Sequence, residues 1–167
     1  MAELKNKKSF LAYFESWSPF VLAATAFCTL IFFRVEITQD FVTYKLSLPQ
    51  LYTAIFGWAS VMTGFQFGVY SLIFSKTDGF ISRISSTKAL EKFMSYTKRA
   101  VTLGFALTIF GIPLLIINAD MDGLSVIMYC IGTLYVSLFI YSFAATVRVA
   151  KLFAIMAKIK TKISLPA

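Results

Sequence analysis

Four stretches without a charged side chain, residues 16–33, 46–75, 100–119 and 123–147, restrict this chain more than any other feature. A helix needs roughly 20 apolar residues to cross a hydrocarbon core about 30 Å thick, so each stretch is long enough, or nearly so, to cross a bilayer once. A backbone at that depth has no water to bond, and a helix satisfies its own polar groups. The sequence therefore predicts an all-α integral membrane protein with a single domain, residues 1–167. Its expected form is a four-transmembrane-helix bundle with spans at about 17–34, 50–75, 100–119 and 123–147.

The basic residues predict the orientation. Lys5, Lys7 and Lys8 precede the first span, and Lys76, Arg83, Lys88, Lys92, Lys98 and Arg99 separate the second from the third. Arg148, Lys151, Lys158, Lys160 and Lys162 follow the fourth, leaving only Arg34 and Lys45 of the 16 on the other side. The positive-inside rule then puts both termini and the middle segment in the cytoplasm. The same rule accounts for the net charge of +8 and the pI near 9.6. Anionic lipid headgroups are expected partners, and direct binding of nucleic acid is not expected. Residues 1–18 lack the arrangement of a cleavable signal peptide. Cys28 and Cys130 fall inside predicted spans without C-x-x-C spacing, as packed thiols rather than a redox pair.

Between the spans, the patterns change. Phe10, Leu11, Phe14 and Trp17 share a face behind three lysines, as in a short amphipathic helix at an interface, with Pro19 near the start of span one. From Val35 to Leu48 apolar and polar residues alternate around Gln39-Asp40, which predicts a small external β-hairpin between the first two spans. Span two places Ser60, Gly64 and Gly68 on one face with Gly57 nearby, a helix-packing or oligomer face, with packing inside the chain as the first reading. Thr77-Asp78-Gly79 reads as a turn, Ser86 or Thr87 as a helix cap, and Pro113 as a kink in span three.

Two basic helical extensions, 80–99 and 148–163, are predicted on the cytoplasmic side. Lys88, Lys92, Ser95 and Arg99 share one face opposite Leu90, Phe93, Met94 and Thr97, and Arg148, Lys151, Lys158 and Lys162 fall in a narrow arc. A solvated or lipid-facing surface is the plain reading of these faces. The functional one makes Lys88, Lys92, Arg99, Arg148, Lys151 and Lys158 a binding surface for lipid or for a cytoplasmic protein.

Missing residue types exclude most chemistry. There is no histidine, so Ser-His and Cys-His activation and the commonest transition-metal ligand are absent. No carboxylate lies inside a predicted span, which removes the usual proton relay. Asp120 and Asp122 beside Gly123 supply too few oxygens for calcium and read as a solvated turn. No catalytic residue, metal site or cofactor is predicted; the chain is expected not to be an enzyme. For a pore built from several subunits, the residues to line it are Thr63, Gln66 and Ser137, with Thr53, Ser60, Thr133 and Ser142 as further polar positions.

The run from Gly64 to Ser75 (GFQFGVYSLIFS), followed by a basic segment ending at Tyr96 to Arg99 and a third span, resembles small bacterial four-span inner-membrane proteins. Several of these accompany anti-phage systems. The membrane subunit of the two-gene Kiwa system and the membrane accessory protein of type VI-B CRISPR loci are similar in scale and layout. The resemblance runs from span one to the tail and transfers no functional residue. It implies a bacterial inner-membrane homo-oligomer that senses membrane disturbance and recruits a cytoplasmic effector, or that permeabilises the membrane. The leading expectation is thus a non-enzymatic sensor or anchor in anti-phage defence. An oligomeric pore or ion channel is the alternative, and a transporter of hydrophobic compounds comes third.

Overall fold

The computed structural model describes the backbone of residues 2–44, 47–75, 88–117 and 125–163, and the side chains within 17–44, 47–71, 91–117 and 125–154. It contains five helices, α1 (Ala2–Phe32), α2 (Arg34–Thr43), α3 (Leu48–Ser75), α4 (Lys88–Ile117) and α5 (Val126–Ile163), and no strand among the described residues. The parts of α4 and α5 at Glu91–Ile117 and Val126–Ala154 are each long and apolar enough to cross a membrane. Trp17–Phe32 and Arg34–Thr43 pass the same test only when taken together across a bend of 74°. The 28 residues of α3 carry no charge, but Gln50, Tyr52, Trp58, Gln66 and Tyr70 dilute their hydropathy. Among the described residues, two helices able to span on their own therefore stand where the sequence predicts four.

The predicted β-hairpin is replaced by α2. Arg34, Ile37, Thr38 and Phe41 are half-buried while Val35, Glu36, Gln39, Asp40, Val42 and Thr43 are exposed, a helical period rather than a period of two. A two-stranded hairpin is marginal without a surface to pack on, whereas Ile37 and Phe41 on one helical face reach the main core. Phe33, at φ −91° and ψ 26°, makes the bend between α1 and α2, and Glu36 in the first turn of α2 suits the positive end of the helix dipole. The expected boundary between an interfacial helix and span one is also missing, because α1 runs unbroken through Pro19. Likewise α4 continues through Pro113 to Ile117. The predicted turn at Thr77–Gly79, the caps at Ser86 or Thr87 and the acids Asp120 and Asp122 lie outside the described residues.

The helices alternate in direction. Thr63 meets Gly104 and Phe56 meets Gly111, so α3 and α4 are antiparallel. Phe93 lies 6.4 Å from Phe153 while Gly111 abuts Tyr135, so α4 and α5 are antiparallel too. Ser18 pairs with Arg148 and Leu30 with Tyr129, which runs α1 antiparallel to α5. The packing is most extensive between α3 and α4, then between α4 and α5 and between α1 and α5. Since α1 has no substantial packing on α3 among the described residues, the four long helices do not close there into the predicted bundle: α3, α4 and α5 make the core and α1 lies outside it against α5.

Small residues set these approaches. On α4 the buried positions are Phe93, Thr97, Ala100, Gly104, Leu107, Gly111 and Leu114, alternately four and three residues apart, the seam of a left-handed helix pair. A Cβ at Gly104 would overlap the Thr63 side chain, and one at Gly132 would overlap the Tyr52 hydroxyl. Helix α5 buries two lines. Tyr129, Thr133 and Ser137 form one, and Tyr135, Ser142 and Val149 form the other, consistent with a helix wedged between α1 and α4.

Two tyrosines on these lines test the polar bookkeeping. The Tyr129 hydroxyl donates to the Leu30 carbonyl at 2.7 Å with the Arg34 guanidinium 5.3 Å from its ring centre, while the Tyr135 hydroxyl is buried with no partner. Tyr129→Phe should cost about 1 kcal/mol, and Tyr135→Phe should gain a similar amount by removing an unsatisfied group. Thermal unfolding in detergent should order the melting temperatures Tyr135→Phe, wild type, Tyr129→Phe.

Candidate functional site

The alternating directions bring two distant basic segments to one end of the molecule. Lys92, Lys98 and Arg99 on α4 and Lys151 on α5 are exposed there. They border an apolar cluster of Phe93, Ala100 and Val149, with Met94, Tyr96, Ala145 and Leu152 packed around it. The amphipathic reading of this part of α4 is correct: Phe93 and Thr97 are fully buried, and Lys92, Ser95 and Arg99 face outward. Glu91 is the sole described acid on these two basic stretches, whereas Glu36 and Asp40 lie toward the other end with Arg34. Lys88 and Lys158 lie on α4 and α5, but their side chains are outside the described residues.

Arg148 does something other than extend this basic surface. It is half-buried, its Nη2 donates to Ser18 Oγ at 2.9 Å, and its guanidinium lies 5.8 Å from the centre of the Tyr96 ring. One side chain thereby joins α1, α4 and α5. The planar guanidinium suits this position because it can stack on an aromatic face while donating in its own plane. Nearby on α1, Trp17 is 52% exposed with its ring edge-on to Phe20 at 6.0 Å, as expected of an aromatic anchor at a membrane surface.

Five of the seven polar residues proposed for a pore are enclosed within a single copy. Thr63, Gln66, Thr133, Ser137 and Ser142 are all buried. Ser137 donates to the Thr133 carbonyl at 2.8 Å, and the exposed Thr53 and Ser60 donate to their own helix at Pro49 and Phe56. Gln66 ties α3 to α5 by a hydrogen bond, donating from Nε2 to Thr146 Oγ1 at 2.7 Å. Thr63, Gln66 and Ser137 thus serve the inside of the chain rather than a face that several subunits could share.

The reverse holds for the small residues of α3. Gly57, Ser60, Gly64 and Gly68 are exposed, and a Cβ at any of the three glycines would meet nothing within 4 Å. The core side of α3 is instead Tyr52, Ile55, Ala59, Thr63 and Gln66. Packing inside the chain, the first reading of the small-residue face, is therefore incorrect. Cys28 is also exposed, on the open side of α1, rather than packed.

The chain matches no family model, curated protein or solved structure. Function must be argued from the geometry alone. Among the described residues no three His, Cys, Asp or Glu side chains gather as a metal site would require. What the structure assembles is a basic end, a three-helix tie at Arg148, an open small-residue face on α3, and a cleft beside Gln66. Sequence reasoning found the basic residues and the glycine stripe. It missed the Arg148–Tyr96–Ser18 tie and the Gln66–Thr146 pair, whose members are 52, 130 and 80 positions apart and leave no local pattern.

Proposed function

We propose that this protein is a non-enzymatic membrane anchor or sensor whose basic end, on the cytoplasmic side, recruits a soluble partner. The observation that carries the reading is the convergence of two separate basic segments at one end of antiparallel helices, with Lys92, Lys98, Arg99 and Lys151 all exposed at that end. The positive-inside rule favours the cytoplasm for that end. Four crossings are part of the proposal. Helices α1 and α3 lie alongside α4 and α5 in alternating directions, and α3 gains in the membrane by facing the other helices with its polar residues. The inner membrane of a bacterium and a role in anti-phage defence rest on the resemblance in layout alone.

Homo-oligomerisation through α3 belongs to the same proposal. Gly57, Ser60, Gly64 and Gly68 fall within an arc of about 80° and would let a second α3 approach closely, with interhelical contacts replacing lipid. Thr63, Gln66, Thr133, Ser137 and Ser142, five of the seven polar residues first assigned to a pore, are buried within one copy, which favours the anchor over a pore.

Charge reversal tests the recruitment. Lys92→Glu, Arg99→Glu and Lys151→Glu together should reduce binding of the cytoplasmic partner by at least tenfold while leaving insertion and thermal stability unchanged, because all three side chains are exposed. Undiminished co-purification of the same partner with the triple variant would refute the assignment. Arg148 is left out of the variant, since its loss would perturb the helix packing itself.

A further inference from the structure

Helices α3 and α5 run parallel, both packed on α4, with their own backbones apart. Toward one end aromatic rings fill the gap, Tyr52 against Tyr135 and Trp58 against Phe139 and Phe143. Toward the basic end the Gln66–Thr146 hydrogen bond crosses it beside a cavity of about 360 Å³. Phe93 and Thr97 of α4, both fully buried, line the cavity from below, and Phe65 and Phe153, each more than half exposed, line it at the surface. Its size lies in the range of small-molecule sites.

The hydrogen bonds around the cavity decide what it can hold. Thr146 gives its proton to the Ser142 carbonyl at 3.0 Å, so toward Gln66 it can only accept. Thr97 gives its proton to the Phe93 carbonyl at 2.8 Å. The capacity left over is mostly that of acceptors: the lone pairs of Thr97 and the Gln66 Oε1, which is buried with no donor, beside the second N–H of Gln66 Nε2. Among the described residues no charged side chain lines the cavity.

We infer that this cleft binds an uncharged, single-chain amphiphile bearing a hydroxyl or N–H donor. The donor is taken by the Gln66 carboxamide oxygen, reached by a small rotation of the amide, and the chain lies against Met62, Val69, Val149 and Phe153. A buried carbonyl without a donor is destabilising, and a ligand that supplies one recovers that loss. Among the described residues an anion would meet the acceptors of Thr97 and Gln66 and no cation, and an ether would leave Oε1 unpaired, so both are selected against. Access is from the side, through the exposed edge between α3 and α5. The inference does not depend on which partner the basic end recruits.

The test uses the full chain in phosphatidylcholine liposomes and a long-chain alcohol carrying a photoreactive diazirine. Cross-links should map to the segments around Met62–Val69 and Val149–Phe153. 1-Decanol should compete about tenfold better than decyl methyl ether, the discrimination expected of one buried hydrogen bond. Gln66→Leu should make the two competitors equal, and Ala150→Trp, at an exposed position on the cavity wall, should abolish labelling without loss of fold. Equal competition by alcohol and ether in the wild type, or labelling that persists in Ala150→Trp, would overturn the assignment.

Discussion

Gly104→Leu is expected to destabilise the folded chain by about 3 kcal/mol, whereas Gly64→Leu and Gly68→Leu leave its melting temperature within a degree or two of wild type. The three glycines look alike in sequence, each in an apolar helix among aromatic and small residues. In the structure a Cβ at Gly104 would overlap the Thr63 hydroxyl and come within 3.1 Å of its Cβ, between the two most extensively packed helices, whereas at Gly64 and Gly68 it would enter open space. Neither backbone at the Gly104 crossing can yield without disturbing Leu107, three residues on in α4, and Ala59, four residues before Thr63 in α3, which are fully buried. Thermal unfolding followed by circular dichroism in detergent separates the cases. Oligomer size should respond the opposite way, falling in the Gly64 and Gly68 variants, which remain folded. Equal destabilisation by all three substitutions would mean that α3 is turned differently from the structure described here.

The second large effect is expected at Arg148. Arg148→Ala should cost about 2 kcal/mol, combining a charged hydrogen bond to Ser18 with the stacking on Tyr96. The larger consequence is local. Near this end Pro19 and Ala23 are the buried residues of α1 among the described side chains, and Arg148 adds a polar tie between α1 and α5 there. Spin labels at the exposed Leu22 and Val147 should show a broadened distance distribution in Arg148→Ala, and an unchanged one in Lys151→Ala. Arg148→Lys keeps the charge but not the planar stack, and should fall between them. If Lys151→Ala broadened the distribution as much, Arg148 would be one surface cation among several rather than the tie.

How much of this was legible in the sequence follows from what a membrane does to hydropathy. The charge-free stretches and the basic imbalance depend on single residues, Arg34 and Lys45 against all the rest, and both features read directly. Which side of each helix packs does not read that way, because lipid is as apolar as a core and the contrast between faces vanishes. Hence Gly57, Ser60, Gly64 and Gly68 drew attention, while the packed face of α3, with Tyr52, Ala59, Thr63 and Gln66, mixes sizes and polarities and carries no hydrophobic signal. The seam of α4 did have a signature, the four-three spacing from Phe93 to Leu114, hidden by its glycines and threonine. Where water borders the chain the pattern is informative again. Lys92, Ser95 and Arg99 were placed outward and Phe93 and Thr97 inward from sequence, and the structure agrees. Helix α2 was misread because alternation from Val42 to Leu48 outweighed the spacing of Arg34, Ile37, Thr38 and Phe41, which fits a helix equally well.

The measurement that most directly tests recruitment at the basic end is site-specific photocross-linking in living cells. A photoreactive phenylalanine analogue is placed at Lys151, exposed on the basic end of α5, and separately at Val126, exposed at the opposite end of the same helix. Recruitment predicts a discrete cross-link from position 151 to a water-soluble protein, lost when Lys92 and Arg99 are reversed to Glu, and none from position 126. Cross-links from position 151 to lipid alone, or the same protein captured equally from both ends, would contradict it.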